Sequence, residues 1–370
     1  MSKLNGIKYE QQSEIAPNSY GDNVRRNRVA QYHRGCIGTK LNWTRYKIDL
    51  KGLNKRQIQH NITRTLESAE NVYTSKFAIG FEIEKNTLSR EVLSGRRELL
   101  GLFPTLFSAI ENDGSVAHNG SDGYEAITNI LPLIPSSKWR NKIFNLMHES
   151  RYFIEEEFSS SNAFYNDAYK CGGHVSISSN DYGDSKHFLN AMRPYLGIVY
   201  AMNRKRLANR YCLGNINCPI NPTNAITRRD NKYNAIQLKS YGVVEFRLWS
   251  RVTSVNQLKN RYALMHEIAQ ASKTLISKNA FSSRIRPIIM RMYNNDAAKV
   301  DSLLKLAKSF DKMLTKNVLD ENVIPYIYAY RNNNLADSDQ RNASIQQMFF
   351  TQKGYRMWKR GEVEFSKMVG

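Results

Sequence analysis

The clearest alternation of apolar and polar positions in the chain is FAIGFEIE, Phe77 to Glu84. With a period of two, Phe77, Ile79, Phe81 and Ile83 share one strand face, and Ala78, Gly80, Glu82 and Glu84 share the other. The first face suits a core. The second sets two carboxylates beside two very small residues, and acids at i and i+2 stand close enough to share hard cations. Alone, such a stretch is more often plain acidic surface.

Other segments carry similar patterns. Tyr124 to Thr128 is short, β-like and holds Glu125. YKCGGHVSIS puts Gly172, His174, Ser176 and Ser178 on one face, with Val175 and Ile177 on the other. A long β stretch from Tyr233 to Trp249 offers Gln237, Lys239, Tyr241, Val243, Glu245, Arg247 and Trp249 on its odd face. Its even face offers Ile236, Leu238, Val244, Phe246 and Leu248. Helical spacing predicts helices over Asn54–Ala69, Glu91–Leu102, Lys138–Phe153, Ser185–Arg210 (interrupted or kinked at Pro194), Val255–Ser277 and Ala297–Leu314. Asp113-Gly114-Ser115 predicts a turn. No fixed-period repeat occurs, no packed element is expected before Leu41, and the one soft boundary falls near Asn279 to Ser283.

Charge changes the picture. In 370 residues, 54 Lys and Arg face 33 Asp and Glu, a net of +21 that attracts nucleic acid, nucleotides, phosphates or anionic surfaces. Residues 1–60 hold 12 basic and 4 acidic side chains, including the cluster at Arg25 to Arg28; residues 193–260 hold 12 and 2. The first block has the look of a tail. The second, inside an apparent folded core, is the better candidate for binding phosphate. Cys36, Cys171, Cys212 and Cys218 are too few for a disulfide framework, and the last two are spaced too widely for a usual zinc knuckle. The start MSKLNGIKYEQQ has no apolar signal core, and no run of 18 apolar residues occurs. The expectation is a soluble, cytoplasmic protein (host cytoplasm or virion if viral) without a membrane partner.

Three strand segments thus repeat one device, two functional side chains at i and i+2 backed by apolar residues: Glu82/Glu84, His174/Ser176 and Glu245/Arg247. Glu125 and Asp113 add two acids. Carboxylates and an imidazole converging from several strands suit magnesium or manganese, and an Arg beside a ligand carboxylate would reach a phosphate held there. Singly each signal is weak: Glu-x-Arg on a strand is commonly a surface ion pair, and a lone His is commonly structural.

The ordered set FEIE, NDGSV, GYEAIT, CGGHVSIS, NRYC, KYNAIQL and VVEFRLW resembles the amidoligase family, a phage and bacterial branch of the glutamine synthetase-like carboxylate–amine ligases. The resemblance runs from about Phe77 to Ile268. It implies an α+β fold, a glutamine synthetase-like antiparallel sheet (half-barrel) flanked by helices, with a helical C-terminal region. With the polar, basic composition of the start and the helical spacing of the end, the expected organisation is a flexible basic N-terminal arm over 1–40, an amidoligase-like catalytic domain over 41–280 and a helical C-terminal extension over 281–370. Glu82 and Glu84 would each face one of two or more magnesium ions. Glu125 would join the ion of Glu84, while His174 and Glu245 would join that of Glu82. Arg247 would stabilise the transferring phosphoryl group, with fixed positive charge from Arg204, Arg206 and Arg210. Asp113 would be a substrate-side or supporting acid. The implied activity is ATP-dependent amide or peptide bond formation through an acyl phosphate, with a peptide, cell-wall fragment or protein as candidate substrate.

Two departures bear on the substrate side: Ser176 stands where the family usually has a second His, and Gln237 where it has Asn. They leave room for an alternative, a catalytically drifted relative acting as a basic structural or nucleic-acid-binding factor, virion-associated and touching nucleic acid through its N-terminal arm. A metal-dependent nuclease also uses clustered acids, but no compact acid–Lys nuclease motif occurs.

Overall fold

The computed structural model describes residues 3–4, 7–8, 11–17, 23–29, 48–49, 76–87, 107–113, 116, 122–128, 131–135, 138–149, 171–179, 181–182, 185–208, 212, 234–239, 243–316, 320 and 322–323. The chain divides into two compact units. One comprises Met1–Phe188, Leu238–Glu245 and Ser250–His266; the other comprises Leu189–Gln237, Phe246–Trp249 and Glu267–Gly370.

The first 40 residues, expected as a flexible arm, include the strands β1 (Lys3–Leu4), β2 (Ile7–Lys8), β3 (Gln11–Pro17) and β4 (Asn23–Val29). β1 pairs with β2, and β3 with β4, both antiparallel, while β5 (Ile48–Asp49) pairs with β4. These strands are mostly polar. Main-chain pairing needs no apolar alternation, so the hydrophobic pattern gave no sign of them.

The principal sheet has seven strands. Six run in the order β11, β12, β10, β6, β8, β7, and β9 also pairs with β6. They are β6 (Phe77–Thr87), β7 (Phe107–Asn112), β8 (Asp122–Thr128), β9 (Leu131–Pro132), β10 (Gly173–Ser179), β11 (Ile236–Leu238) and β12 (Val244–Phe246). The pairings of β6 with β8, β9 and β10, and of β7 with β8, are antiparallel. With helices beside the sheet and in the C-terminal part, this is the expected α+β architecture.

The helices are α1 (Lys138–Glu149), α2 (Ser185–Met192), α3 (Gly197–Met202), α4 (Val255–Thr274), α5 (Lys278–Met292) and α6 (Ala297–Lys316). The helical stretch from Ser185 is interrupted at Pro194, into α2, a 3-10 turn at Arg193–Tyr195, α3, and a second 3-10 turn at Arg204–Ala208. Pro194 cannot donate a main-chain hydrogen bond, and the helix yields there. The stretch Tyr233 to Trp249 is likewise two three-residue strands, closed by a hydrogen bond from Lys239 N–H to the Val243 carbonyl (2.9 Å). Asn279 to Ser283 lies inside α5, which Ser277 caps by accepting from Ala280 N–H (3.2 Å). The helices expected over 54–69 and 91–102 lie outside the described residues.

In the first unit, the odd face of β6 behaves as its pattern demands: Phe77, Ile79, Phe81 and Ile83 are buried, as are Val175 and Ile177 of β10. Phe77 stacks on Phe188 of α2 at 5.8 Å between ring centres. Tyr262 of α4 donates its hydroxyl to the Pro132 carbonyl (2.6 Å) and accepts from Ile134 N–H (2.8 Å), tying that helix to the end of β9. Each fully buried aliphatic or aromatic side chain contributes about 2 kcal/mol, enough to hold β6 rigid while its even face does other work.

Candidate metal centre

Strand register brings the even-face residues together. On the antiparallel pair β6–β10, Glu82 stands opposite His174; on β6–β8, Glu84 stands opposite Glu125. Directly opposed residues share a face, so three carboxylates and one imidazole gather over two steps of the central strand. Glu245 of β12 joins from the next strand beyond β10.

His174 is the hub. Its Nδ1 lies 3.0 Å from Glu82 Oε2 and 3.8 Å from Glu245 Oε1, and its Nε2 lies 3.4 Å from Glu84 Oε1. Two sets of donor atoms fall within 4.8 Å of one another: Glu82, His174 and Glu245, and separately Glu84, Glu125 and His174. Among the described residues these are the groups able to hold a metal ion.

The main chain leaves little slack around them. Gly172 N–H donates to Glu84 Oε2, and Glu84 N–H donates back to the Gly172 carbonyl (3.2 Å). A Cβ at Gly172 would sit 2.6 Å from His174 Nε2 and 3.3 Å from Glu84 Oε2, so any side chain there would force the imidazole to shift. Gly80 is half-buried and its missing Cβ would meet nothing closer than Thr128 Oγ1 at 3.9 Å, whereas Ala78 is fully covered.

The cluster has more negative charge than the protein alone can accommodate. Burial, the charge of Glu82, a hydrogen bond with Glu82 and the charges of Glu84 and Asp113 push the Glu125 carboxyl up to about 10. Burial acts on Glu82 in the same direction, but the hydrogen bond from His174, its charge and that of Lys239 outweigh it and hold Glu82 at about 2. The pair therefore shares one proton, carried by Glu125 and donated towards Glu82. An O/N donor set that must retain a proton to relieve its own repulsion is suited to a hard or borderline divalent cation.

Asp113 is half-buried at the end of β7, and its carbonyl accepts from Val116 N–H (3.3 Å), as the expected turn requires. Arg204, Arg206, Gln237 and Arg247 belong to the second unit. Arg204 donates to the Ala201 carbonyl (3.1 Å), Arg206 is buried, Gln237 is half-buried, and Arg247 N–H donates to the Ala235 carbonyl (2.8 Å). Arg210 lies outside the described residues.

Two cations near the cluster were not assigned a role from the sequence. Lys239 places Nζ 2.6 Å from Oε2 of the fully buried Glu245. Arg261 of α4 is 3% exposed and donates to the carbonyls of Gly173 (3.2 Å) and Arg251 (3.4 Å) and to Ser250 Oγ (3.3 Å), holding the residue before His174 in place. Its signal was an arginine between Leu258 and Tyr262 on an otherwise apolar helix face.

Cys171 and Cys212 are buried thiols outside any disulfide, and Cys212 Sγ donates to the Arg206 carbonyl (3.1 Å). Among the described residues no helix is long and apolar enough to cross a membrane.

No protein-family model matches the chain, and no curated protein matches it. Among solved structures it is similar to one described as "Apo GmaS without ligand", at 11% identity and a TM-score of 0.29, over 75% of this chain and 76% of that one.

Proposed function

We propose that the chain is an ATP-dependent carboxylate–amine ligase working through an acyl phosphate at a site that takes two or more magnesium or manganese ions. The observation that carries this is the pair of overlapping donor groups, built from four adjacent strands and joined at His174. A carboxylate does not condense with an amine at neutral pH, because its oxygen leaves poorly. In the proposed reaction a substrate carboxylate oxygen attacks the γ-phosphorus of ATP and the bond to ADP breaks. The amine nitrogen then attacks the acyl carbon, phosphate departs, and the nitrogen loses a proton.

The ions would screen triphosphate and carboxylate from each other as they approach. Glu84 and Glu125 would hold one of them, Glu125 giving up its proton on loading. Glu82 and Glu245 would hold the other, with His174. A neutral imidazole has a single lone pair. Nδ1 is the nitrogen nearer Glu82 and Glu245, so it would be the ligand, leaving Nε2–H to donate to Glu84. Arg247, with Arg204, Arg206, Arg210 and Gln237, is proposed to serve the nucleotide and the transferring phosphoryl group, and Asp113 to act as the substrate-side acid.

The alternative, a drifted protein serving as a basic structural or nucleic-acid-binding factor in a virus particle, has one observation in its favour. The Lys239 ammonium already takes up one oxygen of Glu245, so that side is partly neutralised without any ion. Phosphate release from Mg-ATP over a panel of carboxylates and amines separates the two. Glu82→Ala and Glu245→Ala should abolish turnover with unchanged circular dichroism. Full turnover in both variants would end the ligase proposal. Absence of manganese binding by the intact chain, followed by electron paramagnetic resonance, would favour the alternative.

A further inference from the structure

Helix α6 is anchored along one face, where Val300, Leu303, Ala307, Phe310, Met313 and Leu314 are buried. Lys305, Lys308, Lys312 and Lys316 lie on the other, and all four are exposed. Steps of three and four residues keep them within about 80° of arc and spread them over about 17 Å of helix. None of the four has a hydrogen bond or ion pair among the described residues. The acids of α6 and its preceding turn are engaged elsewhere. Asp301 pairs with Arg286 (2.5 Å), Asp311 pairs with Lys278 (2.9 Å) and accepts from Gly197 N–H (2.8 Å), and Asp296 accepts from Lys299 N–H (2.9 Å).

Folding does not account for such a row. Lys308 with Lys312, and Lys312 with Lys316, are like charges four residues apart, an arrangement that lowers helix stability. Only the last turn gains from a cation beside the helix C-terminus. We propose that this lysine stripe docks the phosphate backbone of double-stranded nucleic acid, without sequence preference. Four point-like ammoniums in a row along one helix match a linear polyanion, and their span covers about five base-pair steps of 3.4 Å. The chain's net +21 adds long-range attraction. A membrane surface would ask for apolar side chains flanking the lysines, and a protein partner for an apolar or aromatic anchor. The large exposed apolar residue among the described ones is Leu275, which is not on α6.

The test uses the full chain, a random-sequence 20-base-pair DNA duplex and a salt titration. Changing all four lysines to Ala suits the helix and should not lower its melting temperature. It should make the slope of log affinity against log salt shallower by about 3.6, from four phosphate contacts at about 0.9 each. The corresponding set of four Lys→Arg changes keeps the charge and should keep the slope, which also guards against misfolding of the Ala variant. A slope that moves by less than about 1 in the Ala variant overturns the proposal. So does an equal loss in the Arg variant, or binding to anionic vesicles but not to the duplex.

Discussion

Replacing Glu125 by Gln removes the proton that the acid cluster has to carry, and the consequence can be worked out before measurement. In the folded chain, burial, then the charge and hydrogen bond of Glu82, then the charges of Glu84 and Asp113 hold the Glu125 carboxyl at about 10, against an ordinary 4.5. Between those values the unfolded chain has released a proton that the folded chain keeps. Unfolding therefore gives up a proton, and stability falls as pH rises through the window. Each pH unit there is about 1.4 kcal/mol, so at pH 7 the ion-free protein is destabilised by about 3 kcal/mol. Glu82 acts in the opposite sense. Held at about 2 instead of 4.5, it contributes stability that is lost only as pH falls towards 2, and so adds no slope near neutrality. Gln at position 125 keeps an N–H donor for Glu82 and has no proton to lose. In EDTA, urea unfolding should find the variant about 3 kcal/mol more stable than wild type at pH 7, with the gap widening by about 1.4 kcal/mol per pH unit from 6 to 8. Saturating manganese should flatten the wild-type slope and leave the variant's unaltered, because an ion replaces the proton only where the carboxylate remains. Parallel stability curves for the two proteins in EDTA would refute the shared-proton account.

Two other changes probe the neighbours. Lys239→Met strips the ammonium from the fully buried Glu245 and should destabilise the ion-free protein by about 3 kcal/mol; manganese should recover most of that loss in urea unfolding, and an unmoved midpoint in EDTA would show that Glu245 does not rely on Lys239. Gly172→Ala drives a methyl against His174 Nε2 and should weaken manganese binding by roughly tenfold or more in calorimetry, whereas unchanged affinity would remove His174 from the ligand set.

What could be read ahead of the structure was what strand periodicity encodes. FAIGFEIE declared both of its faces, and its four odd residues are buried as the alternation requires. CGGHVSIS did the same for His174, Val175 and Ile177. Register is another matter. Nothing in a period of two states that His174 stands opposite Glu82 and not Glu84, and a one-residue slip would turn the imidazole to the other face. Alternation also misled where it ran through a turn. From Tyr233 to Trp249 it predicts one long strand, yet the chain folds back between Lys239 and Val243, and Val243, Glu245 and Trp249 are as buried as the even positions. That reversal is what brings a lysine six residues upstream against Glu245. A straight strand would have kept the two about 20 Å apart. α5 escaped for a related reason, since Pro287 interrupts a helical pattern that the surrounding apolar residues Ile285, Ile288 and Ile289 nevertheless anchor. Arg261 could not be interpreted from its own helix because the groups it holds are carbonyls supplied by other segments. The donors of the candidate site were thus visible as face-sharing side chains. The groups that fix their charge and position depend on a turn and a tertiary contact, which one-dimensional patterning does not carry.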